Sequence, residues 1–402
     1  MISTRTRAHI AAGIEPPLFS EQNWRIRGAI ASQEFGVTLV LIAMVLYLSY
    51  KTDTFTTPQS LQNIALAMSW IAIAAFGQTL VIITGGIDLS VGSVMALSGL
   101  VAAYYISGDK SPYATLTEFT SSGGNVREKM LVPDEWRYVL FAMLLGCSVG
   151  VLVGLINGVL IAYFRLPPFI ATLGMMSVAR GFCTGVTKGE TLRNFNEKFM
   201  EVGRGEYIMP ENVPILEGYR FPYPALIMLV ICAIMTIFLA RTIWGYRTYA
   251  VGGNAQAAEL SGIHTRRVLV MVYTFSGFLG GVGGVLLTSR LGSAAPDAAM
   301  GYELQVIVAV VIGGTSLTGG KGTVIGTLIG AIVYFVLRSG LNLLKYDAYW
   351  QEVAIGAMII MAIMFDQIRI AIQNRRMPEF IRIDRLRGLV GRRPAAISDQ
   401  QV

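Results

Sequence analysis

Charge is the scarcest commodity in this sequence. Only 14% of its 402 residues are Asp, Glu, Lys or Arg, against about 25% in an ordinary soluble chain. A large soluble core would also dilute charge, so the distribution of the apolar residues has to decide. Apolar residues make up 53% of the chain and mean hydropathy is +0.57. The charges fall in clumps, and between them lie long greasy runs such as Thr54–Ile87, Tyr138–Phe164, Phe221–Ala240 and Val268–Ser289. A helix needs roughly 20 mostly apolar residues to cross the hydrocarbon layer. Several runs reach that length, which excludes a soluble domain and makes this a membrane protein.

Cysteine and histidine are nearly absent. Cys147, Cys183 and Cys232 sit in or beside apolar segments with no metal-ligand spacing, and are read as small core residues. His9 and His264 are too few and too distant for a metal site. No nucleophile–base set or metal cluster is evident, which argues against a membrane-embedded enzyme. No cofactor and no catalytic residue is expected. The net charge of +7 would suggest nucleic acid for a soluble chain; in a membrane protein it reports basic cytoplasmic loops, and no nucleic-acid partner is expected. No small-x-small cleavage site follows the first apolar run, so an uncleaved first helix is expected.

What the sequence does have is a series of ten apolar runs, with cores at 35–50, 61–84, 89–107, 138–164, 166–186, 221–240, 268–289, 305–320, 323–337 and 353–365. The expected architecture is an all-α membrane protein, a polytopic bundle of about ten transmembrane helices. Helices near Asp88 and near Gly313–Gly322 are candidates for broken or re-entrant segments. Orientation follows from the basic residues. The 241–267 loop holds Arg241, Arg247, Arg266 and Arg267 against Glu259, a net of +3. Beyond Phe365, eight arginines face four acids, a net of +4. The loops at 109–137 and 187–220 each net −1. The positive-inside rule therefore places both termini in the cytoplasm. The division expected is a cytoplasmic segment 1–34, a membrane domain 35–365 with periplasmic loops 109–137 and 187–220, and a basic cytoplasmic tail 366–402.

Glycine is plentiful, 44 in all, with Gly277, Gly280, Gly281, Gly283 and Gly284 clustered in one apolar run. Helices in lipid gain little from burying apolar surface against each other, so small residues that permit close approach hold the bundle together. The same smoothness would let helices slide during gating. Two glycine turns resemble each other. Gly85–Gly92 (GGIDLSVG) and Gly313–Gly320 (GGTSLTGG) share G-G-x-[DS]-L-[ST]-x-G. Such an echo fits a transporter built from repeated halves whose interrupted helices meet at the substrate path; a chance likeness of two glycine-rich turns is the alternative.

Asp88 is the only charge between Thr54 and Gly108. A carboxylate at mid-membrane costs about 2.5–3.5 kcal/mol on insertion scales, so it needs a partner, water or an interfacial position. Its setting before Leu89-Ser90-Val91 resembles a helix start, where Asp or Ser caps first-turn amides; substrate or proton chemistry is the other reading. Gln78, Asn157, Ser276 and Asn342 are polar residues within apolar runs that could line a hydrophilic route or merely satisfy a neighbouring helix. The loop Gly245–Ile263 reads GYRTYAVGGNAQAAELSGI. It predicts a turn at Gly252-Gly253-Asn254, a short helix over Ala255–Leu260 opened by Asn254, and a stop at Gly262. Gly314–Thr323 (GTSLTGGKGT) imitates a phosphate-binding loop, but Lys321 is followed by Gly322 and the flanks are apolar spans, so ATP binding by this chain is not expected.

Four segments together carry a family resemblance: ITGGIDLSVGSVMAL (Ile83–Leu97), PPFIATLGMMSVARG (Pro167–Gly181), TYAVGGNAQAAELSGI (Thr248–Ile263) and VIGGTSLTGGKGTVIGTLIGA (Val311–Ala331). The stretch from about 35 to 365 resembles the ribose/xylose/galactose-type permeases of ABC importers. The loops at 109–137 and 187–220 and the basic tail look longer than that family's pattern, which leaves the substrate open. The resemblance implies a bacterial inner-membrane permease that pairs with a second copy of itself. It also implies an ATP-binding subunit on the cytoplasmic side and a periplasmic sugar-binding protein that delivers a monosaccharide. Gly252, Gly253, Asn254, Ala258, Glu259, Ser261 and Gly262 would then form the loop coupled to the ATPase. Asp88, Ser90, Gly92, Gly313, Gly314 and Gly320 would belong to the family's other shared turns. An ion-coupled secondary transporter is the competing class, disfavoured by the scarcity of intramembrane carboxylates. A permease for a polyol or for branched-chain amino acids is the in-class rival.

Overall fold

A computed structural model describes residues 33–108, 110–120, 126–208 and 220–373. Most of segment 1–34, most of the tail 366–402 and parts of both long loops lie outside these residues. The described chain is predominantly helical. The first helix, α1, is Gln33–Lys51, followed by α2 Pro58–Ile83 and α3 Val91–Ile106. A hairpin of β1 Thr115–Thr120 and β2 Val126–Leu131 leads to α4 Trp136–Ala162 and α5 Pro168–Thr187. Next come the short α6 Glu197–Arg204, the strands β3 Glu206–Ile208 and β4 Arg220–Pro222, and α7 Tyr223–Arg241. The chain continues through α8 Ile243–Gly253, α9 Ala255–Leu260, α10 Thr265–Leu291, α11 Tyr302–Ile312 and α12 Val324–Leu343. These elements belong to one compact unit ending at Tyr346; α13, Ala348–Gln373, belongs to a second.

Helix boundaries have local chemical causes. Pro58 stands in the first turn of α2, where its missing N–H is harmless, and the Thr57 hydroxyl accepts from the Ser60 amide at 3.4 Å. The Thr323 hydroxyl accepts from the Gly326 amide at 2.9 Å and opens α12. Gly292, at φ 67°, ends α10 in the left-handed conformation that only glycine adopts without strain.

Every one of the ten expected apolar runs contains a helix, yet the helices differ in reach. Among the described residues, six are long and apolar enough to cross a membrane: α2, α4, α5, α7, α10 and α12. The run 305–320 holds the break expected near Gly313–Gly322. Its helix, α11, stops at Ile312 after 11 residues. At 1.5 Å per residue that is about 16 Å, half of a hydrocarbon layer. The remainder of the run is an irregular turn in which Gly314, Gly319 and Gly320 all have positive φ. Hydropathy registers such glycines as apolar and does not see that they break the helix.

Two helices sit at the centre. In α2, every residue from Ser69 to Ile83 except Trp70 is buried. Against it runs α10, which also packs on α3 and α4. The α4 side of that contact is a stripe of glycines at every fourth position, Gly146, Gly150, Gly154 and Gly158, which lie on one helix face. A Cβ on Gly154 would meet the Tyr273 carbonyl and come within 3.0 Å of the Thr274 Cα. A Cβ on Gly158 would reach 2.7 Å from the Val270 Cα. On α10, a Cβ on Gly277 would press on the Gly150 carbonyl and lie 2.8 Å from the Gly154 Cα. The obstacles are backbone atoms, which cannot swing aside. Gly77 on α2 likewise faces the Ser276 Cα, at 2.8 Å from an added Cβ. Glycine therefore sets the distance at which α10 meets both α2 and α4.

This predicts an asymmetry between glycines. Gly154→Val should lower stability in detergent by about 1–3 kcal/mol, the usual penalty for overpacking. Gly174→Val on α5, where nothing lies within 4 Å of an added Cβ, should leave the thermal unfolding midpoint close to that of the native chain. Equal midpoints for the two variants would refute glycine-set packing at the α4–α10 contact.

Candidate functional site

Asp88 lies in the break between α2 and α3, and it is 98% shielded from solvent, with 2% exposure. Its Oδ1 accepts from the Ser90 amide at 2.9 Å and from the Ser90 hydroxyl at 2.6 Å. Its Oδ2 accepts from the Ser276 hydroxyl of α10 at 3.2 Å. The Ser90 hydroxyl in turn accepts from the Asn157 amide of α4 at 3.0 Å. Four sequence candidates, Asp88, Ser90, Asn157 and Ser276, thus meet in one buried network joining the α2–α3 break to α4 and α10. A buried carboxylate without donors is prohibitive; three donors meet this one.

The expected helix cap is not what forms. The N-cap of α3 is Ser90, and its side chain makes no capping bond. Asp88 bonds the amide and hydroxyl two residues ahead, the local pattern of an Asx turn, and spends its other oxygen on Ser276. The Ser90 hydroxyl is engaged instead with Asp88, to which it donates, and with Asn157, from which it accepts.

On the far side of the break stands Thr172 of α5, which sequence reasoning left without a role. Its hydroxyl oxygen accepts from the Leu89 amide at 3.1 Å and lies within donating distance of the Ile87 carbonyl, at 3.2 Å, and the Pro168 carbonyl, at 2.9 Å. Nothing in an isolated threonine within an apolar run signals such a contact. Tyr273 was missed for the same reason. It is fully buried, its hydroxyl has no hydrogen-bond partner among the described residues, and a Cβ on Gly86 would collide with that hydroxyl.

The second cluster forms where α8 meets the two glycine turns. The Gly320 amide donates to the Ile83 carbonyl at the end of α2, at 2.8 Å. A Cβ on Gly252 would collide with that same carbonyl and lie 2.8 Å from the Gly320 nitrogen. A Cβ on Gly319 would lie 2.8 Å from the Gly252 carbonyl and 3.2 Å from the Gly85 nitrogen. The two turns that echo each other in sequence therefore touch, and the end of α8 is wedged against both. The Tyr249 hydroxyl adds a bond from α8 to the Gly322 carbonyl at 2.6 Å. On the other end of α2's last turns, the Thr79 and Thr327 hydroxyls, 2.7 Å apart, join α2 to α12.

Beyond this wedge the loop has the expected form. The Asn254 side chain accepts from the Ala257 amide at 3.0 Å and opens α9, which runs Ala255–Leu260. Gly262, at φ 81°, closes it; its amide donates to the Glu259 carbonyl and that of Ile263 to the Ala258 carbonyl, both at 3.0 Å. Ala258 is buried, whereas Glu259, Ser261 and Gly262 are exposed. The expected turn at Gly252-Gly253-Asn254 is narrower than the sequence suggested, since both glycines end α8 and only Asn254 breaks the helix. The two glycines also differ. Gly252 has no room for a side chain, while Gly253 faces open space.

Other candidates stand apart. Gln78 is fully buried, and neither atom of its amide has a hydrogen-bond partner among the described residues. Asn342 is exposed at the end of α12 and joins no cluster. Gly92 packs against the start of α11, where an added Cβ would meet the Glu303 carboxylate. Gly313 faces Gly326 of α12, and Gly314 takes φ 90° in the second turn. Among the described residues, no group of three or more His, Cys, Asp or Glu side chains could hold a metal ion.

Residues 60–363 match the family of permease components of branched-chain amino acid transport systems. The ribose import permease protein RbsC of Bacillus subtilis is 38% identical over 337 residues, 83% of this chain and 93% of that protein. RbsC of Escherichia coli is 37% identical over 329 residues, 82% of this chain and 91% of that protein. The galactose/methyl galactoside import permease protein MglC of E. coli is 32% identical over 342 residues, 84% and 95% respectively. No solved structure matches the chain.

The Asp88 network makes a prediction about substitution. Asp88→Ala strands the Ser276 and Ser90 hydroxyls and should cost at least about 2 kcal/mol, given about 1.5–3 kcal/mol for a hydrogen bond to a charged group. Asp88→Asn keeps an acceptor for Ser90 and offers Ser276 a donor, so its thermal midpoint should fall between Ala and native. An Asn variant as unstable as Ala would show that the charge, rather than the hydrogen bonds, matters.

Proposed function

We propose, from the premise that this chain belongs to the permease-component family of branched-chain amino acid transport systems, that it is the membrane-spanning subunit of an ATP-driven importer for a monosaccharide. The family description names branched-chain amino acids. The named relatives at 32–38% identity are ribose or galactose/methyl galactoside import permeases, and they align over most of their own length. Their agreement favours a sugar. The chain is a transport subunit of the inner membrane. In this reading it binds no nucleotide; a separate ATP-binding subunit supplies the energy, a second permease copy completes the pathway, and a periplasmic binding protein delivers the cargo. About ten membrane-crossing or re-entrant segments with both termini in the cytoplasm complete the picture.

The observation that carries the mechanism is the wedge of Gly252 between the end of α2 and the Gly319–Gly320 turn. A force applied to the exposed helix α9 passes through Asn254 into α8. From Gly252 it reaches the Ile83 carbonyl and, through that carbonyl's bond to the Gly320 amide, the second turn. Both breaks in the helical bundle then shift together, which is what alternating access requires of interrupted helices near the substrate path. The α2 break is also tied through Asp88 to α10 and through Ser90 to α4, so motion there is shared with the glycine-packed core. An uncharged sugar needs no ion pair on its way, in agreement with the scarcity of charge inside the bundle.

The test uses proteoliposomes holding the permease, its ATP-binding subunit and its binding protein. Gly252→Val should insert normally but uncouple the system, with sugar uptake per ATP hydrolysed falling at least tenfold. Asn254→Ala, which removes a cap worth about 1 kcal/mol, should give a milder loss in the same direction. Normal uptake with normal sugar-stimulated hydrolysis in both variants would contradict the coupling route. Uptake driven by a proton or sodium gradient without the ATP-binding subunit would contradict the proposed function altogether.

A further inference from the structure

A cleft of about 480 Å³ opens where α4 ends, α10 begins and α9 comes closest to the first glycine turn. Its mouth carries Arg165, Arg266 and Glu259, all exposed, and its lining includes Gly86 and Tyr273. None of these charged groups takes part in an ion pair among the described residues. The two arginines are held in place by different means. Arg165 adopts φ 56° just past the end of α4, a left-handed turn that no residue with a side chain adopts freely. Arg266 lies over the Tyr163 ring, 5.8 Å from its centroid. At the cleft's inner wall is the Tyr273 hydroxyl, fully buried and without a partner among the described residues. Such a group is normally satisfied in a native structure, by protein, water or ligand.

The surroundings identify the occupant. The cleft lies at one end of α4 and α10, two helices long and apolar enough to span a membrane, and the end of a spanning helix meets the lipid headgroups. Beside Arg165, Phe164 is 69% exposed and Phe169 53% exposed, a flank that suits acyl chains. Two guanidinium groups against one carboxylate leave the cleft with a net charge of +1, which one phosphodiester neutralises. Arginine matches phosphate oxygens through its fork of donors. Glu259 would repel a bare phosphate but accepts well from a hydroxyl. We propose that this cleft binds the headgroup of an anionic glycerophospholipid whose headgroup carries hydroxyls. Its phosphodiester sits on Arg165 and Arg266, its headgroup hydroxyls reach Glu259 and Tyr273, and its acyl chains lie along the Phe164 and Phe169 flank. Because Glu259 belongs to α9, the bound lipid touches the helix through which force enters the bundle.

Native mass spectrometry of the full chain, released from membranes containing equal phosphatidylglycerol and phosphatidylcholine, tests the assignment. The native chain should retain one phosphatidylglycerol in preference to phosphatidylcholine by at least tenfold. R165Q/R266Q should bring the ratio close to one, and Tyr273→Phe should lower it about fivefold, the effect of one hydrogen bond worth about 1 kcal/mol. R267Q, a neighbouring arginine that does not line the cleft, should leave the ratio unchanged. No preference in the native chain, or an unchanged preference in R165Q/R266Q, would overturn the proposal. Displacement of the lipid by millimolar glycerol 3-phosphate would overturn it too, by showing a site for a soluble phosphate. The measurement involves no transport, so its failure and the failure of the importer reading are distinguishable.

Discussion

The structure depends on close approach of backbones in a setting where apolar burial gives little reason for helices to adhere. In lipid, a leucine gains almost nothing by leaving acyl chains for another helix. What remains is dispersion between atoms packed at contact distance, and that falls steeply with any gap. Gly150, Gly154 and Gly158 on α4 face Val270, Tyr273, Thr274 and Gly277 on α10 with main-chain atoms in contact. Gly77 brings α2 equally near. The small-residue surface thus does for this bundle what a leucine-rich core does for a soluble one.

The same device recurs where α8 meets the two glycine turns, with a different consequence. At Gly252, Ile83 and Gly320, three backbone segments meet with no side chain between them. A contact made of main-chain atoms has little compliance, because side-chain rotation cannot absorb a displacement. In the proposed mechanism, that stiffness suits an element that is to pass motion from α9 to the breaks at Ile83 and Gly320. The Asp88 network ties the first break to the same core, since Ser276 and Asn157 belong to the two helices that the glycine stripe locks together.

How much of this was legible beforehand varies with the kind of information involved. The short helix α9 was, to the residue, because its limits are set by local chemistry, with Asn254 accepting from an amide three residues on and Gly262 taking positive φ. The break at Asp88 was legible because a lone carboxylate in an apolar run has few places to go, although its tether to Ser276, 188 residues away, was not. A break near Gly313–Gly322 was legible from its glycines; that the helix before it, α11, spans only 11 residues was not, because glycine reads as apolar and as helix-breaking at once. Gly252 and Gly253 are adjacent and chemically identical, so only packing separates the crowded one from the free one. Thr172 and Tyr273 gave no signal, since their importance lies in what other helices bring to them. The likeness of the two glycine turns was visible in the sequence; that they touch each other is a fact of three dimensions.

The central claim is that α8 and the second glycine turn move as one body. It can be measured by replacing Cys147, Cys183 and Cys232, introducing Gly253→Cys and Lys321→Cys, and linking the pair with a short bifunctional crosslinker. The account predicts that the link forms with equal yield in the nucleotide-free and ATP-trapped states, and that the linked permease still transports. A yield that changes with nucleotide state, or transport abolished by the link, would mean that the two segments part during the cycle and that force reaches the bundle by another route.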